Sequence, residues 1–282
     1  MVPFSLRTIV AGDLPLVNVV DVGAAEYGKD PYHSLTAQGL CRVIGFEPDE
    51  PNCAKRNQRA APGHRYLPYA LGRGDRRKFY SCANPLTSSL YRPNAALLDK
   101  FQHLQLPVVG ESELQTHRME DLPEIEDVDY LKLDVQGAEL DVIEGAARRM
   151  DDVLVVHTEI EFIPMYEGQP LFGDVDVALR RHGFLLHKMD GITGRAMKPL
   201  IPNGNPFGPL SQWLYADAAI YVRSFMTFDQ LSPEKLLKLA LILHDVYSSF
   251  DLAALALEAH DAKTGQGLWT AYLTRLGASP SK

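Results

Sequence analysis

The chain has 282 residues, 46% of them apolar and 23% charged, enough for one α/β domain with an appendage. Thirty-six acidic side chains against 28 basic ones leave a formal charge of −8, which argues against the basic face of a duplex nucleic-acid binder. Cys41, Cys53 and Cys82 fit neither a disulfide framework nor a zinc pattern, and no apolar stretch approaches the length needed to cross a bilayer.

The start Met1-Val2-Pro3-Phe4 lacks the basic residues and apolar run of a secretory leader, so a reducing cytoplasm is the expected compartment. Residues 16–22 form a short apolar run ending in Asp-Val-Gly, the pattern of a buried strand feeding a loop. A short helix fits 30–38 with Gly39 as terminator, a second strand 42–47 stops at Pro48, and 50–60 read as helix up to Pro62-Gly63. A third strand fits 64–71, followed by a turn at Gly72–Asp75 and an extended segment at 77–82. Pro85, Pro93 and Pro107 break up residues 83–118, the least legible stretch, with a helix expected only at 94–104. Strand 128–135, helix 138–150, strand 153–162, helix 172–182, strand 184–188 and strand 218–223 follow. Such alternation predicts a doubly wound, mostly parallel sheet, whose ligands bind beyond the carboxyl ends of the strands.

From Ser232 the chain turns rich in Leu and Ala, with two or three helices. Residues 1–225 are expected to form the main domain and 226–282 a helical extension whose Leu-rich faces need cover. That cover would make the extension a lid over the site or a homodimer contact.

Strand ends carry the candidate chemistry. Asp21 precedes Gly23, Ala24, Ala25 and Gly28, small residues that let backbone pass close to a ligand. A carboxylate there repels a pyrophosphate and suits an ammonium or sulfonium group, which sets this loop apart from G-x-G-x-x-G. Glu47, followed by Pro48, lies 26 positions after Asp21, near the spacing at which an acid on the second strand accepts ribose hydroxyl hydrogens. Lys132 and Asp134 share a face of the fourth long strand, as either a site pair or an internal ion pair. His157, Glu159 and Glu161 share a face of the fifth, where His157 is a candidate general base. Asp134, His157 and Glu159 also form a candidate divalent-metal set.

Residues 129–146, Asp-Tyr-Leu-Lys-Leu-Asp-Val-Gln-Gly-Ala-Glu-Leu-Asp-Val-Ile-Glu-Gly-Ala, resemble the hallmark of the FkbM family of methyltransferases. Asp21-x-Gly23-Ala24, Gly45-Phe46-Glu47-Pro48, Ala70-Leu71-Gly72, Ser88-Ser89-Leu90, Glu159 and Tyr166-x-Gly168 support it, and the likeness covers about residues 17–223. Two departures stand out: Gln136 replaces the family's Glu, and Tyr27 stands where the family's loop usually has glycine.

The resemblance implies a class I methyltransferase (Rossmann-like) sheet of about seven strands and O-methylation of a hydroxyl from S-adenosylmethionine. The expected acceptors are sugars, sugar-bearing natural products or cell-surface glycans. Asp21, Gly23, Ala24, Ala25, Gly28, Glu47, Pro48, Ala70, Ser88, Ser89 and Asp134 are the expected cofactor residues, and Asp134, His157, Glu159 and Lys132 the catalytic candidates. Tyr91, Phe162, Tyr166, Phe207 and Trp213 are candidates for walls of the acceptor pocket. Two rivals remain: a nicotinamide-dependent oxidoreductase, disfavoured by Asp21, and a non-catalytic interaction domain, favoured by the altered loop at Tyr27.

Overall fold

The computed structural model describes residues 4–10, 12–201, 204–208 and 211–277. Met1–Pro3 and residues 278–282, the outer ends of the two expected regions, lie outside the described residues. In chain order the elements are β1 (Val17–Val22), α1 (His33–Ala37), β2 (Cys41–Phe46), α2 (Glu50–Gln58), β3 (His64–Leu67) and β4 (Ala70–Leu71). Next come β5 (Arg76–Cys82), α3 (Ala95–Leu98), β6 (Val108–His117), β7 (Tyr130–Leu133), α4 (Glu139–Gly145) and β8 (Val155–Glu161). The chain continues through α5 (Phe172–Arg181), β9 (Phe184–Arg195), β10 (Gln212–Arg223), α6 (Pro233–Leu241), α7 (Phe250–Thr264) and α8 (Leu268–Leu276).

Seven strands form the main sheet in the order β3-β2-β1-β7-β8-β10-β9. All run parallel except β10, which is antiparallel to both of its neighbours. This is the expected class I methyltransferase sheet. Strand order reverses between β1 and β7, so the ends of those two strands flank the switch point where α/β sheets hold ligands.

Alternation along each strand divides the interior in two. Val20, Val22, Leu131, Leu133, Val156 and Ile160 face a core closed by α4 and α5. Val17, Val19, Tyr130, Val155, Ile220 and Val222 face the other side, where they meet Leu236, Leu239, Leu243 and Leu257 of the C-terminal segment. The Leu-rich faces of 226–277 are therefore covered by the chain's own sheet, and their apolar character does not call for a lid or a second copy. Lys235 and Lys238 on α6 fasten the arrangement by pairing with the buried Asp129, at 2.8 and 3.0 Å. No helix among the described residues is long and apolar enough to cross a membrane.

Several expected boundaries move. The third strand ends at Leu67, and Ala70-Leu71 leaves for a second sheet of order β4-β6-β5. Ten-residue β6 lies in the stretch that was hardest to read, because it is exposed along much of its length and has no apolar period. The helix expected over 94–104 shrinks to the single turn of α3, and that over 138–150 to α4 and a tight turn at Arg149–Asp151. Strands β9 and β10 are twelve residues each, well beyond the runs expected, because they pair with each other and need no buried face at their outer ends.

Candidate active site

One row of residues crosses the sheet near its carboxyl edge. Tyr66, Gly45, Asp21, Lys132 and His157 are successive register neighbours on β3, β2, β1, β7 and β8. They lie on the face that, lower down, carries the Val17, Tyr130 and Val155 core; at its upper end that face turns from apolar to charged. Asp21, its side chain only 2% exposed, sits 3.1 Å from Lys132 Nζ and accepts a 2.7 Å hydrogen bond from Tyr32 Oη. Arg56, reaching up from α2, adds a second cation at 3.8 Å and binds both oxygens of Asp30. The negative charge of Asp21 is thus matched by internal cations, which corrects the expectation that it faces a cationic ligand directly. Its place here is to hold Lys132, whose ammonium also donates to the Gly23 carbonyl at 2.8 Å and lies 3.6 Å from Asp134. Burial works against that ammonium, but Asp21 and Asp134 keep it protonated.

Above the row, the loop after β1 folds across the end of β7. Gly23 and Ala24 donate to the Phe46 carbonyl at 3.0 Å, and Asp134 N donates to the Val22 carbonyl at 3.1 Å. Gly23 has φ +76°, and a Cβ there would come well within 3.0 Å of the Asp134 carbonyl oxygen. Only glycine fits. Ala24 is buried and Ala25 half-buried, whereas Tyr27 and Gly28 are exposed. Val22 pairs with Phe46, so Glu47 stands one residue beyond β2 beside Gly23, followed by half-buried Pro48. Asp21 and Glu47 therefore share one edge of the sheet. Burial raises the Glu47 carboxyl against the pull of its hydrogen bond from Asp49 N. Ala70 is buried at the start of β4.

Beyond β7, Asp134 is the accessible carboxylate, its side chain 47% exposed. Its recessed setting opposes ionisation, but Lys132 and a 3.0 Å hydrogen bond from Gln136 hold its carboxyl below the usual range. Glu159 on β8 has the opposite character: burial and then the Asp134 charge push its carboxyl well above the usual range. Burial and then Glu139 do the same to Glu161, and burial lifts Glu139 to about 7 although it accepts from Val135 N. Four carboxyls therefore lie close together, and Asp134 is the one whose surroundings favour the ionised form while those of the other three oppose it.

His157 is committed elsewhere. Its Nδ1 lies 3.0 Å from Tyr247 Oη, which is 2.7 Å from Tyr130 Oη. Burial, with Lys132 adding to it, lowers the imidazole to about 4, so it is neutral at physiological pH and a weak base. A His that is neutral in the fold but titrates near 6.5 when unfolded binds fewer protons folded between those values. Its contribution to stability is thus whole above about 6.5 and is lost as pH falls toward 4. We expect His157→Gln to flatten the acid limb of urea-denaturation stability relative to the wild type, by on the order of 3 kcal/mol across that window. Parallel curves for the two proteins between pH 6.5 and 4 would refute this.

Among the described residues, no three His, Cys, Asp or Glu side chains converge in a metal-ligating arrangement. Asp134, His157 and Glu159 are thus not brought together as a ligand set, since His157 turns to Tyr247 and Glu159 to Gln136. Ser89 is buried, with its hydroxyl donating to the Gln136 carbonyl at 2.6 Å and accepting from Tyr91 N, and Ser88 accepts from Cys82 N. That corrects the expectation of Ser89 as a ligand contact: both sides of its hydroxyl are used inside the loop. Of the aromatic candidates, Tyr91 is turned to Asp141 and Arg77, Phe207 lies over Arg195, and Phe162 and Trp213 meet at 5.5 Å between ring centroids. Tyr166 is buried and donates to Gln136 Oε1 at 3.0 Å. Sequence reasoning missed Tyr32 just before α1, Arg56 on α2 and Tyr247 between α6 and α7, which carry no motif and reach the site only through packing.

Against known proteins, residues 21–186, more than half of the chain, match the methyltransferase FkbM domain. The chain belongs to the FkbM methyltransferase family. This FkbM protein is 27% identical over 173 residues to the 2-O-methyltransferase NoeI of Sinorhizobium fredii, covering 56% of this chain and 70% of that one. Among solved structures it is similar to the O-MT region of StiE, at 9% identity and TM-score 0.39, over 84% of this chain and 75% of that one. It is also similar to a SAM-dependent methyltransferase from Aquifex aeolicus, at 12% identity and TM-score 0.31, over 76% and 86%. Its family makes the FkbM protein an enzyme of methyl transfer, in place of the oxidoreductase reading.

Proposed function

We propose that this FkbM methyltransferase moves a methyl group from S-adenosylmethionine to a hydroxyl of a sugar or sugar-bearing molecule. The observation that carries the reading is the edge itself: Glu47, the side-chain-free approach at Gly23 and the ionised Asp134 stand at three adjacent strand ends. Bound there, S-adenosylmethionine supplies an electrophilic methyl group. Glu47 would accept hydrogen bonds from the ribose hydroxyls, and the Gly23–Ala25 backbone would hold the methionine portion. Lys132 keeps the loop and the end of β7 in register by binding Asp21, the Gly23 carbonyl and Asp134 at once.

A sugar hydroxyl is a weak acid, so its proton must leave as the new bond forms. Asp134, ionised and accessible, would take that proton, with the methyl group supplied by S-adenosylmethionine when it is bound. Glu159, whose burial favours its neutral form, stands beside it, and His157 serves as a neutral wall held by Tyr247. Transfer to oxygen is supported by the likeness to a 2-O-methyltransferase, and a sugar acceptor by the hallmark segment Asp129–Ala146.

The test is calorimetry with S-adenosylmethionine followed by an assay of S-adenosylhomocysteine release over a panel of methyl glycosides and glycolipids. Heat of binding and turnover on at least one sugar are expected. Binding with turnover only on non-sugar alcohols would overturn the acceptor class, and no binding would overturn the whole reading.

A further inference from the structure

The FkbM hallmark usually has Glu where this chain has Gln136, and the replacement sits at the most constrained point of the site. Gln136 has φ +55°, a left-handed conformation that is unfavourable for a residue with a Cβ and persists only where the surroundings enforce it. The enforcement is visible: Ser89 Oγ grips its carbonyl, and Tyr166 Oη donates to its Oε1. With Oε1 so engaged, Nε2 points the other way, and its two hydrogens go to Asp134 Oδ1 at 3.0 Å and Glu159 Oε2 at 2.5 Å. A Glu in this place would have no hydrogen for either carboxyl when ionised, and one at most when protonated.

Building on the reading of Asp134 as the base, we propose that Gln136 is a positioning residue whose carboxamide clamps Asp134 and Glu159 into one pair, with Asp134 aimed at the acceptor hydroxyl. Two carboxyls this close repel each other when both are ionised, and the two Gln136 hydrogens, one on each, offset that repulsion and fix their spacing. The groups facing the pair are Lys132 and Asp21 below, His157 and Glu161 on β8, Glu139 on α4, Asp217 on β10, and the tyrosines Tyr166 and Tyr215. Only Lys132 among them is a cation, and it engages Asp134 on the side away from Gln136, through the other carboxylate oxygen. Glu159 therefore depends on the amide.

The test compares Gln136→Leu and Gln136→Glu with the wild type, using the methyl glycoside that turns over fastest in the panel above. We expect Gln136→Leu to lower kcat roughly 10- to 100-fold, as for a displaced catalytic group, with KM for the glycoside within about two-fold. Calorimetric affinity for S-adenosylhomocysteine and the thermal midpoint should stay near wild type, which separates positioning from a structural defect. In Gln136→Glu the acid limb of the pH–rate profile should move to higher pH, because the hydrogen bond that favours ionised Asp134 is lost and a third negative charge opposes its ionisation. If Gln136 acts through Asp134, adding Gln136→Leu to Asp134→Asn should cause no further loss of kcat. Wild-type kcat in Gln136→Leu, or a loss that adds fully to that of Asp134→Asn, would overturn the clamp. Failure of the underlying reading looks different: Asp134→Asn would then keep wild-type kcat, whatever the Gln136 variants do.

Discussion

Lys132→Met is expected to destabilise the fold by about 3–5 kcal/mol, the cost of leaving a buried carboxylate without its partner. Asp21 is nearly inaccessible, and Lys132 is its nearest cation; Arg56 stands farther off and is shared with Asp30. Methionine keeps the stem's volume, so the loss is one of charge compensation and not of packing. Removing the lysine also frees the Gly23 carbonyl and takes away the cation that keeps Asp134 ionised. The double variant Asp21→Asn/Lys132→Met should recover part of the loss, because an amide in that pocket needs no counter-ion and still accepts from Tyr32 Oη. Urea denaturation of the four proteins of the cycle measures both effects. A loss under about 1 kcal/mol in Lys132→Met, or strict additivity in the double variant, would show that the pair holds nothing together.

The second large effect concerns the loop. Gly23→Ala places a Cβ against the Asp134 carbonyl, which belongs to backbone and cannot swing away. Either the loop lifts from β7 or the end of β7 shifts, by on the order of 1 Å, and a displacement of that size is enough to cost about 100-fold at a site built on exact approach. Calorimetry should show affinity for S-adenosylmethionine falling by about that factor. Gly28→Ala is the control, since its φ of +66° is also left-handed but a Cβ there meets nothing. It should cost about 1–2 kcal/mol of stability at most and leave affinity within about three-fold. Equal effects of the two substitutions would mean that backbone conformation matters and the close approach to Asp134 does not.

Both variants test a feature that was only half legible in the amino-acid order. A strand ending in Asp-x-Gly, and a second one ending in Glu-Pro 26 positions later, state locally that two acids and a bare turn sit at strand ends. Alternation then places Lys132 with Asp134, and His157 with Glu159, on shared faces, because side chains two apart in a strand must point the same way. Those inferences need no knowledge of distant contacts. The division of labour among the acids does need it. Lys132 and Gln136 flank Asp134 in the sequence, but nothing along the chain says that burial and the Asp134 charge will push the Glu159 carboxyl up while Asp134 itself is held low.

The sequence by itself determined the strand–helix alternation of the main sheet, the α/β class, the family hallmark over Asp129–Ala146 and the acids at the strand ends, since each is written in a short window of residues. Tertiary structure alone decided that the Leu-rich tail covers the sheet through Leu236, Leu239, Leu243 and Leu257, that β6 joins a second sheet, and that Asp21 is spent on Lys132. It also turned His157 toward Tyr247 and Ser89 toward Gln136. The physical reason is the same in each case. Burial, charge compensation and the ownership of a hydrogen bond depend on which remote groups arrive beside a residue, and a linear pattern carries no record of that.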